Sequence, residues 1–283
     1  MSAGVLFDAP GPKARRRNRI YAVAGTAAIL ALIAFVVLRL QGKGQFAGYM
    51  WDLFQYAGIQ QRIEDGLVAT LKAFALAAVG SLVLGALLAA GRLSDHRAVR
   101  WVATAVVEFF RALPLLILIF VLYASVFAPF WALVLGLTLY NGCVQAEVFR
   151  AGVNAVPRGQ TEAAYALGMR KSQVMATVLI PQAVRSMLPT IISQLVVTLK
   201  DTSLGFIITY EELLYAGRLV ASNTVTRGGY PYVPVVIVIG TVYIAMCLAL
   251  SALAQWIERR GRRSRKGVVP VPAEADAVVA QAE

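Results

Sequence analysis

The 283-residue sequence is 59% hydrophobic and only 15% charged, with a mean hydropathy of +0.67, well above the apolar share of a soluble domain. An integral membrane protein follows, and about six apolar spans leave too little chain for a soluble catalytic domain; no GKS or GKT phosphate loop occurs. The formal net charge of +12 does not indicate nucleic acid, because the basic residues cluster beside apolar stretches, as in chains oriented by the positive-inside rule.

Residues 1–19 form a basic N-terminal tail with Arg15, Arg16, Arg17 and Arg19, and 20–38 is expected to be the first transmembrane helix. At ~1.5 Å per residue that run covers about 28 Å, close to the hydrocarbon thickness of a bilayer. It is longer than the apolar part of a signal peptide and no small-residue cleavage pattern follows, so it reads as an uncleaved anchor. Residues 39–66 are expected as an external loop. Leu67–Ala90, Trp101–Phe127 and Phe130–Val148 read as the next spans, the last two joined so tightly at Ala128 and Pro129 that they must be antiparallel neighbours. A fifth span is expected from about Ala183 to Leu199, with Pro189 inside it, and a short helix or re-entrant piece near Leu204–Leu214. Val233–Trp256 is the last span, and 257–283 is a basic cluster followed by a Pro/Ala/acidic segment with no means of burying a core. The predicted fold is therefore all-α and polytopic, with about six transmembrane helices. Cys143 and Cys247 lie within apolar segments and read as buried free thiols, with no disulfide or metal site implied; His96 reads as a solvated residue of a short basic loop.

An amino terminus inside the cell places the N-tail, Arg92, Arg97, Arg100, Arg150 to Lys171 and Arg259 to Lys266 on the cytoplasmic side. Only Arg39, Lys43, Arg62, Lys200, Arg218 and Arg227 then lie outside, so the predicted topology is N-in and C-in.

The stretch between the fourth and fifth spans, EAAYALGMRKSQVMATVLIP from Glu162 to Pro181, is a basic, capped helical loop in an otherwise membrane-soluble chain. A helix is predicted to open at Gln160 or Thr161, and Gly168 supplies the left-handed position that ends it. A second helix is expected behind Ser172. Ala163, Ala164 and Gly168 would leave one side nearly without side chains, open to close approach by another protein. A DNA-reading helix-turn-helix has a similar look, but apolar spans flank this one on both sides.

These residues resemble the permease subunits of bacterial ABC importers, whose cytoplasmic loop carries an EAA, a glycine and a terminal proline at this spacing. Glu162, Ala163, Ala164, Gly168, Val178 and Pro181 fall in register; Ile180 replaces the usual leucine. The blocks RALPLLILIF from Arg111, QAEVFRAGV from Gln145, VPRGQTEAAYALGM from Val156, PQAVRSMLP from Pro181 and LKDTSL from Leu199 look like the polar amino-acid branch, with the glutamate-type permeases of actinobacteria most similar in their extra first helix and extended tail. The resemblance implies an importer transmembrane domain over 67–256, with the EAA loop at 151–181. It implies two cytoplasmic ABC ATPase subunits holding ATP and Mg, a second permease subunit, identical or sister, and an extracellular amino-acid binding protein, all at the plasma membrane. This chain itself would bind no cofactor and would not be an enzyme. In the loop, Glu162 is expected to contact the ATPase, Ala163 and Ala164 to pack closely, Gly168 to make the turn, and Leu167 and Pro181 to complete the coupling element.

Glu108, Arg111, Glu147 and Arg150 sit in or beside apolar spans, where a central charge costs at least ~2.5 kcal/mol; Lys72 and Arg185 share that setting. Each acid–base pair three residues apart could neutralise itself at the membrane face. Alternatively, Arg111 and Glu147 face a substrate path, with Pro114 giving a gate somewhere to bend and Lys200, Asp201, Thr202 and Ser203 clustered at the outer end of the fifth span. An ion-coupled secondary transporter is the competing class, but it usually shows internal repeats. A membrane-anchored regulatory protein would leave the intramembrane charges unexplained. Glutamate is the first expected substrate, a basic or other polar amino acid the second.

Overall fold

The computed structural model describes residues 11–263, with side chains through Trp256; residues 1–10 of the expected basic tail and 264–283 of the C-terminal segment lie outside the described residues. Among the described residues all regular structure is helical, apart from an isolated bridge between Thr226 and Gly229. Five helices are long and apolar enough to cross a bilayer, or six if one bent pair forms a single span.

The chain divides into two compact units. Among the described residues, the first comprises 11–59 and 219–237. Here α1, Pro12–Gly42, starts with proline in its first turn and buries none of its residues, the pattern of a helix apolar all round in contact with lipid. It extends beyond the expected 20–38 because the flanking basic residues also favour helix. After it the chain makes two 3-10 turns, Gly48–Met50 and Asp52–Gln55, that bury Met50 and Leu53. Gln45 ties this segment to residues 230–233: its amide nitrogen donates to Tyr230 O at 3.0 Å, and its amide oxygen accepts from Val233 N at 3.2 Å.

The second unit, residues 60–218 and 238–263 among those described, holds the remaining bundle. α2, Ala57–Arg92, begins well before the expected span, so residues 57–66 are helix rather than external loop. Its polar first turns, Gln60, Gln61, Arg62, Glu64 and Asp65, hide the helix from a hydropathy reading. Ala73, Ala77, Ser81, Gly85 and Ala89 form a buried row at four-residue spacing. Such small residues let helices approach in lipid, where close packing must substitute for the hydrophobic effect. The row meets α5, Pro129–Asn154: a Cβ at Gly85 would stand 2.7 Å from Gln145 Cβ and 3.0 Å from Gly142 O. Gly80 meets Thr138 in the same way, so the two helices run parallel.

The expected third span is two helices, α3 Arg97–Ala112 and α4 Leu115–Ser125, bent by 97°. The cause is Pro114. A residue before proline is driven out of the α region, and Leu113 sits at φ −77° and ψ 131°. α4 packs along α5 through Ile119 over Gly136, whereas α3 crosses lower down, with Val107 against Ala89, Cys143 and Ala146. Cys143 is buried, as expected, but Cys247 is only half-buried.

α8, Ile180–Asp201, runs antiparallel to α5: Met187 covers Gly152, Gln145 Nε2 donates to Ile191 O at 3.4 Å, and Gln194 Nε2 donates to Asn141 Oδ1 at 2.9 Å. The helix continues through Pro189, and Ser193 Oγ donates to Pro189 O at 2.9 Å. A 3-10 segment, Thr202–Ile208, follows and stops at Thr209, whose φ is +58°. The expected short helix near 204–214 is displaced: α9 is Leu213–Asn223, because its cap, Glu212, lies late in that stretch. α10, Tyr232–Arg263, continues as helix past the expected boundary at 257.

Candidate functional site

Between α5 and α8 the chain leaves the bundle as a helical hairpin. Pro157, fixed at φ −54°, opens α6, Arg158–Ala166, so this helix starts before the expected Gln160 or Thr161. It ends in a Schellman arrangement: Gly168 N donates to Tyr165 O at 2.9 Å and Met169 N to Ala164 O at 3.2 Å, with Gly168 at φ +76°. The second helix starts at Lys171, earlier than expected, because Gln173 Oε1 accepts from Arg170 N at 2.8 Å. This turn, α7 Lys171–Gln173, runs through a π turn, Val174–Leu179, directly into α8. The second arm of the hairpin and the span are thus one 38-residue helical run, Lys171–Ile208.

The hairpin has its own small core, with Ala164, Val174 and Leu179 buried among Val153, Val156 and Met169. Ala164 is therefore an inner packing residue, 4% exposed, and not part of an open docking side as its alanine had suggested. The outer side carries Glu162, Ala163, Tyr165, Gly168 and Leu167, the last 82% exposed. Tyr165 beside it is exposed as well, so the tip of the hairpin presents two apolar side chains outward. Pro181 is exposed in the first turn of α8.

Lys171 braces the hairpin against the α2–α3 turn, donating from Nζ to Asp95 Oδ1 at 2.5 Å and to Leu93 O at 3.2 Å. The hydrogen bond and charge of Lys171 hold the Asp95 carboxyl below its ordinary 3.8. A depressed acid loses its contribution only as pH falls through that lowered value, so the brace persists across neutral pH. Reversing Asp95 to lysine should loosen the hairpin at this contact and pairing it with Lys171→Asp should restore it, a modest effect because the ion pair is exposed. Limited proteolysis of the hairpin in the single and paired variants checks this.

Residues 81–263 match the family described as binding-protein-dependent transport system inner membrane component. The chain belongs to that family of ABC importer permeases. It is 40% identical over 251 residues to the glutamate transport system permease protein GluD of Corynebacterium glutamicum, covering 84% of this chain and 90% of that relative. It is 32% identical to the probable glutamine ABC transporter permease protein GlnM of Bacillus subtilis, over 71% of this chain and 93% of the relative. A crystal structure of an amino acid ABC transporter with histidines superposes with a TM-score of 0.65 at 30% identity, covering 71% of this chain and 94% of that one. The protein is thus a multi-pass permease component of an amino-acid ABC importer, a class that works with ATPase and binding-protein partners.

At the hairpin end of the permease, charges from three helices converge. Arg92 of α2 pairs with Glu147 of α5 and, at 3.3 Å, with Glu108 of α3; Arg150 reaches Glu147 at 2.9 Å and Arg111 reaches Glu108 at 3.8 Å. Arg92 and Glu147 are the least exposed members, at 12% and 21% of their side-chain surface. The local i,i+3 pairs of the sequence are present, but Arg92 joins them. At a span's end it had read only as a topology charge. Arg111 makes no ion pair with Glu147 among the described residues, and no hydrogen bond or ion pair links either to Lys200, Asp201, Thr202 or Ser203. Lys200 is exposed, Asp201 and Ser203 are half-buried, and buried Thr202 donates to Leu199 O at 2.6 Å. Lys72 and Arg185 are exposed laterally.

Two buried polar features escaped the sequence reading. On the α5–α8 seam, Asn141 Nδ2 and Gln145 Oε1 are buried without a hydrogen-bond partner among the described residues. Glu212, 0% exposed, accepts from Leu214 N at 2.7 Å, Tyr215 N at 2.8 Å and Tyr243 OH at 2.6 Å, fastening the start of α9 to α10. Beside it Leu213 N donates to Thr70 Oγ1 of α2 at 3.0 Å. Nothing in YEELL distinguished Glu212 from its exposed neighbour Glu211.

Proposed function

We propose that this permease forms, with a second permease subunit, the membrane path for a polar amino acid, glutamate first, delivered by an extracellular binding protein. The hairpin Arg158–Leu179 faces the cytoplasm and seats in an ATPase subunit, one for each permease, and those ATPases hold the ATP and Mg. The observation that carries this reading is the unbroken helical run from Lys171 into α8. A push on the exposed tip at Leu167 and Gly168 passes through the short turn Met169–Arg170 and then along continuous helix into a membrane span. The Lys171–Asp95 brace passes part of the same displacement to α2 and α3. The positive-inside distribution of arginines and lysines supports N-in and C-in.

Around the path, Glu147, Arg111, Pro114 and the Lys200–Ser203 group are the proposed contributors. Arg92, Glu147 and Glu108 link α2, α5 and α3 at the hairpin end, where a charge cluster can close the path and part when the helices separate. Glutamate is preferred because the 40%-identical relative is named for it, and a glutamine, basic or other polar substrate is the alternative.

The experiment is uptake of labelled glutamate by vesicles containing the permease, its ATPase and its binding protein. Uptake should require ATP, compete with unlabelled glutamate and fall at least tenfold in Glu147→Gln and Arg111→Gln with assembly preserved. Uptake independent of ATP, or full activity in both variants, would overturn the corresponding part of the reading.

A further inference from the structure

Besides the path, one charged feature of α3 has no role in the coupling scheme. Arg97, Arg100, Trp101 and Thr104 share one face of the helix, at i, i+3, i+4 and i+7, and with Ala98 line an open cavity of about 580 Å³. Neither guanidinium forms an ion pair with a carboxylate among the described residues; Arg100 is steadied by donating from Nη1 to Ser94 O at 3.0 Å. Trp101 stands 73% exposed beside the cavity.

The setting of α3 identifies the ligand class. The 97° bend at Leu113–Pro114 sets α3 nearly perpendicular to α4, which follows α5, so with α4 along the membrane normal α3 runs close to the bilayer plane. Ala103 and Val107 hold it to the bundle, while Val99, Val102 and Phe109 form an exposed apolar side and the arginines lie on another. A helix with an apolar side, a basic side and a tryptophan between them rests in the headgroup layer. Two guanidiniums without a carboxylate ion pair and a hydroxyl around one cavity match the oxygens of a phosphodiester, and guanidinium forks bind such groups bidentately. The adjoining apolar side chains favour a ligand that also has acyl chains over a free anion.

We propose that Arg97, Arg100, Trp101 and Thr104 form a binding site for the headgroup of an anionic glycerophospholipid. The site steadies α3, and with it the Arg92–Glu108 link, at the membrane face. It depends on α3 lying at a membrane surface and not on the direction or substrate of transport.

The test is native mass spectrometry of the full chain released from phosphatidylcholine bilayers containing a graded fraction of phosphatidylglycerol. The wild type should retain phosphatidylglycerol selectively. Retention should weaken about 30-fold in Arg97→Gln with Arg100→Gln, the effect of removing two cations from an anionic lipid surface. Arg97→Lys with Arg100→Lys, which keeps the charge but loses the fork, should bind more weakly than wild type and more tightly than the glutamine variant, and binding equal to wild type would also count against the site. Arg62→Gln with Arg227→Gln, matched in charge, should bind as wild type. Equal retention in the glutamine variant, equal loss in the matched control, or full displacement by soluble glycerol phosphate would overturn the proposal. Because lipid retention is read without substrate or ATP, its failure is separable from failure of the import reading.

Discussion

Gly168→Val should abolish most uptake while leaving ATP hydrolysis by the assembled importer largely intact, whereas Gly168→Asn should be mild. The residue sits at φ +76°, where a non-glycine residue costs roughly 1–2 kcal/mol, a β-branched one suffers most, and asparagine is tolerated. A Cβ placed there meets nothing within 4 Å, so the variants differ in backbone conformation and not in local crowding. Valine relieves its strain by reshaping the turn that sets α6 against α7. The small core of Ala164, Val174 and Leu179 has little area with which to resist. Leu167 then no longer projects where a partner would receive it. The ratio of substrate moved to ATP hydrolysed in proteoliposomes measures this, and equal ratios for wild type and the valine variant would contradict it.

The second large effect is expected at Glu212. Its two carboxylate oxygens receive two backbone N–H groups and the Tyr243 hydroxyl, all within a buried setting. Glu212→Ala strands these donors, and with unsatisfied buried groups costing ~1–3 kcal/mol each, a loss on the order of 3 kcal/mol is expected. Glu212→Gln is smaller but not silent. Its amide NH2 can be satisfied by a rotated tyrosine hydroxyl, yet wherever it points it faces at least one backbone donor. Tyr243→Phe, which leaves both backbone bonds, should cost about 1 kcal/mol. Thermal unfolding midpoints of the purified permease should therefore fall in the order Tyr243→Phe, Glu212→Gln, Glu212→Ala.

The apolar runs made the long helices legible, because lipid allows only fully hydrogen-bonded backbone and so leaves a plain hydropathy trace. The hairpin was legible for a different reason. Gly168 and Pro181 carry fixed conformational demands that survive in a bare sequence. What failed were features decided by neighbours. Hydropathy runs through Pro114 without interruption, so the sequence marks a bend there but not its 97° size, which goes with the packing of Val107 against Ala89, Cys143 and Ala146. Ala163 and Ala164 are identical in the sequence, and only the packing of Val174 and Leu179 assigns one outward and one inward. Arg92 resembled every other arginine at a span end until Glu147 and Glu108 converged on it. The four-residue row from Ala73 to Ala89 was present in the letters, but an alanine-rich chain offers many such rows, and the contact with α5 selects this one.

The central claim is that the exposed tip of the α6–α7 hairpin is the contact with a cytoplasmic ATPase. A photo-crosslinking amino acid in place of Leu167, activated in cells producing the whole importer, tests it most directly. The predicted result is a covalent adduct between the permease and the ATPase subunit, lost when the ATPase is omitted. An adduct with lipid or with the extracellular binding protein instead, from an efficiently activated probe, would contradict the account.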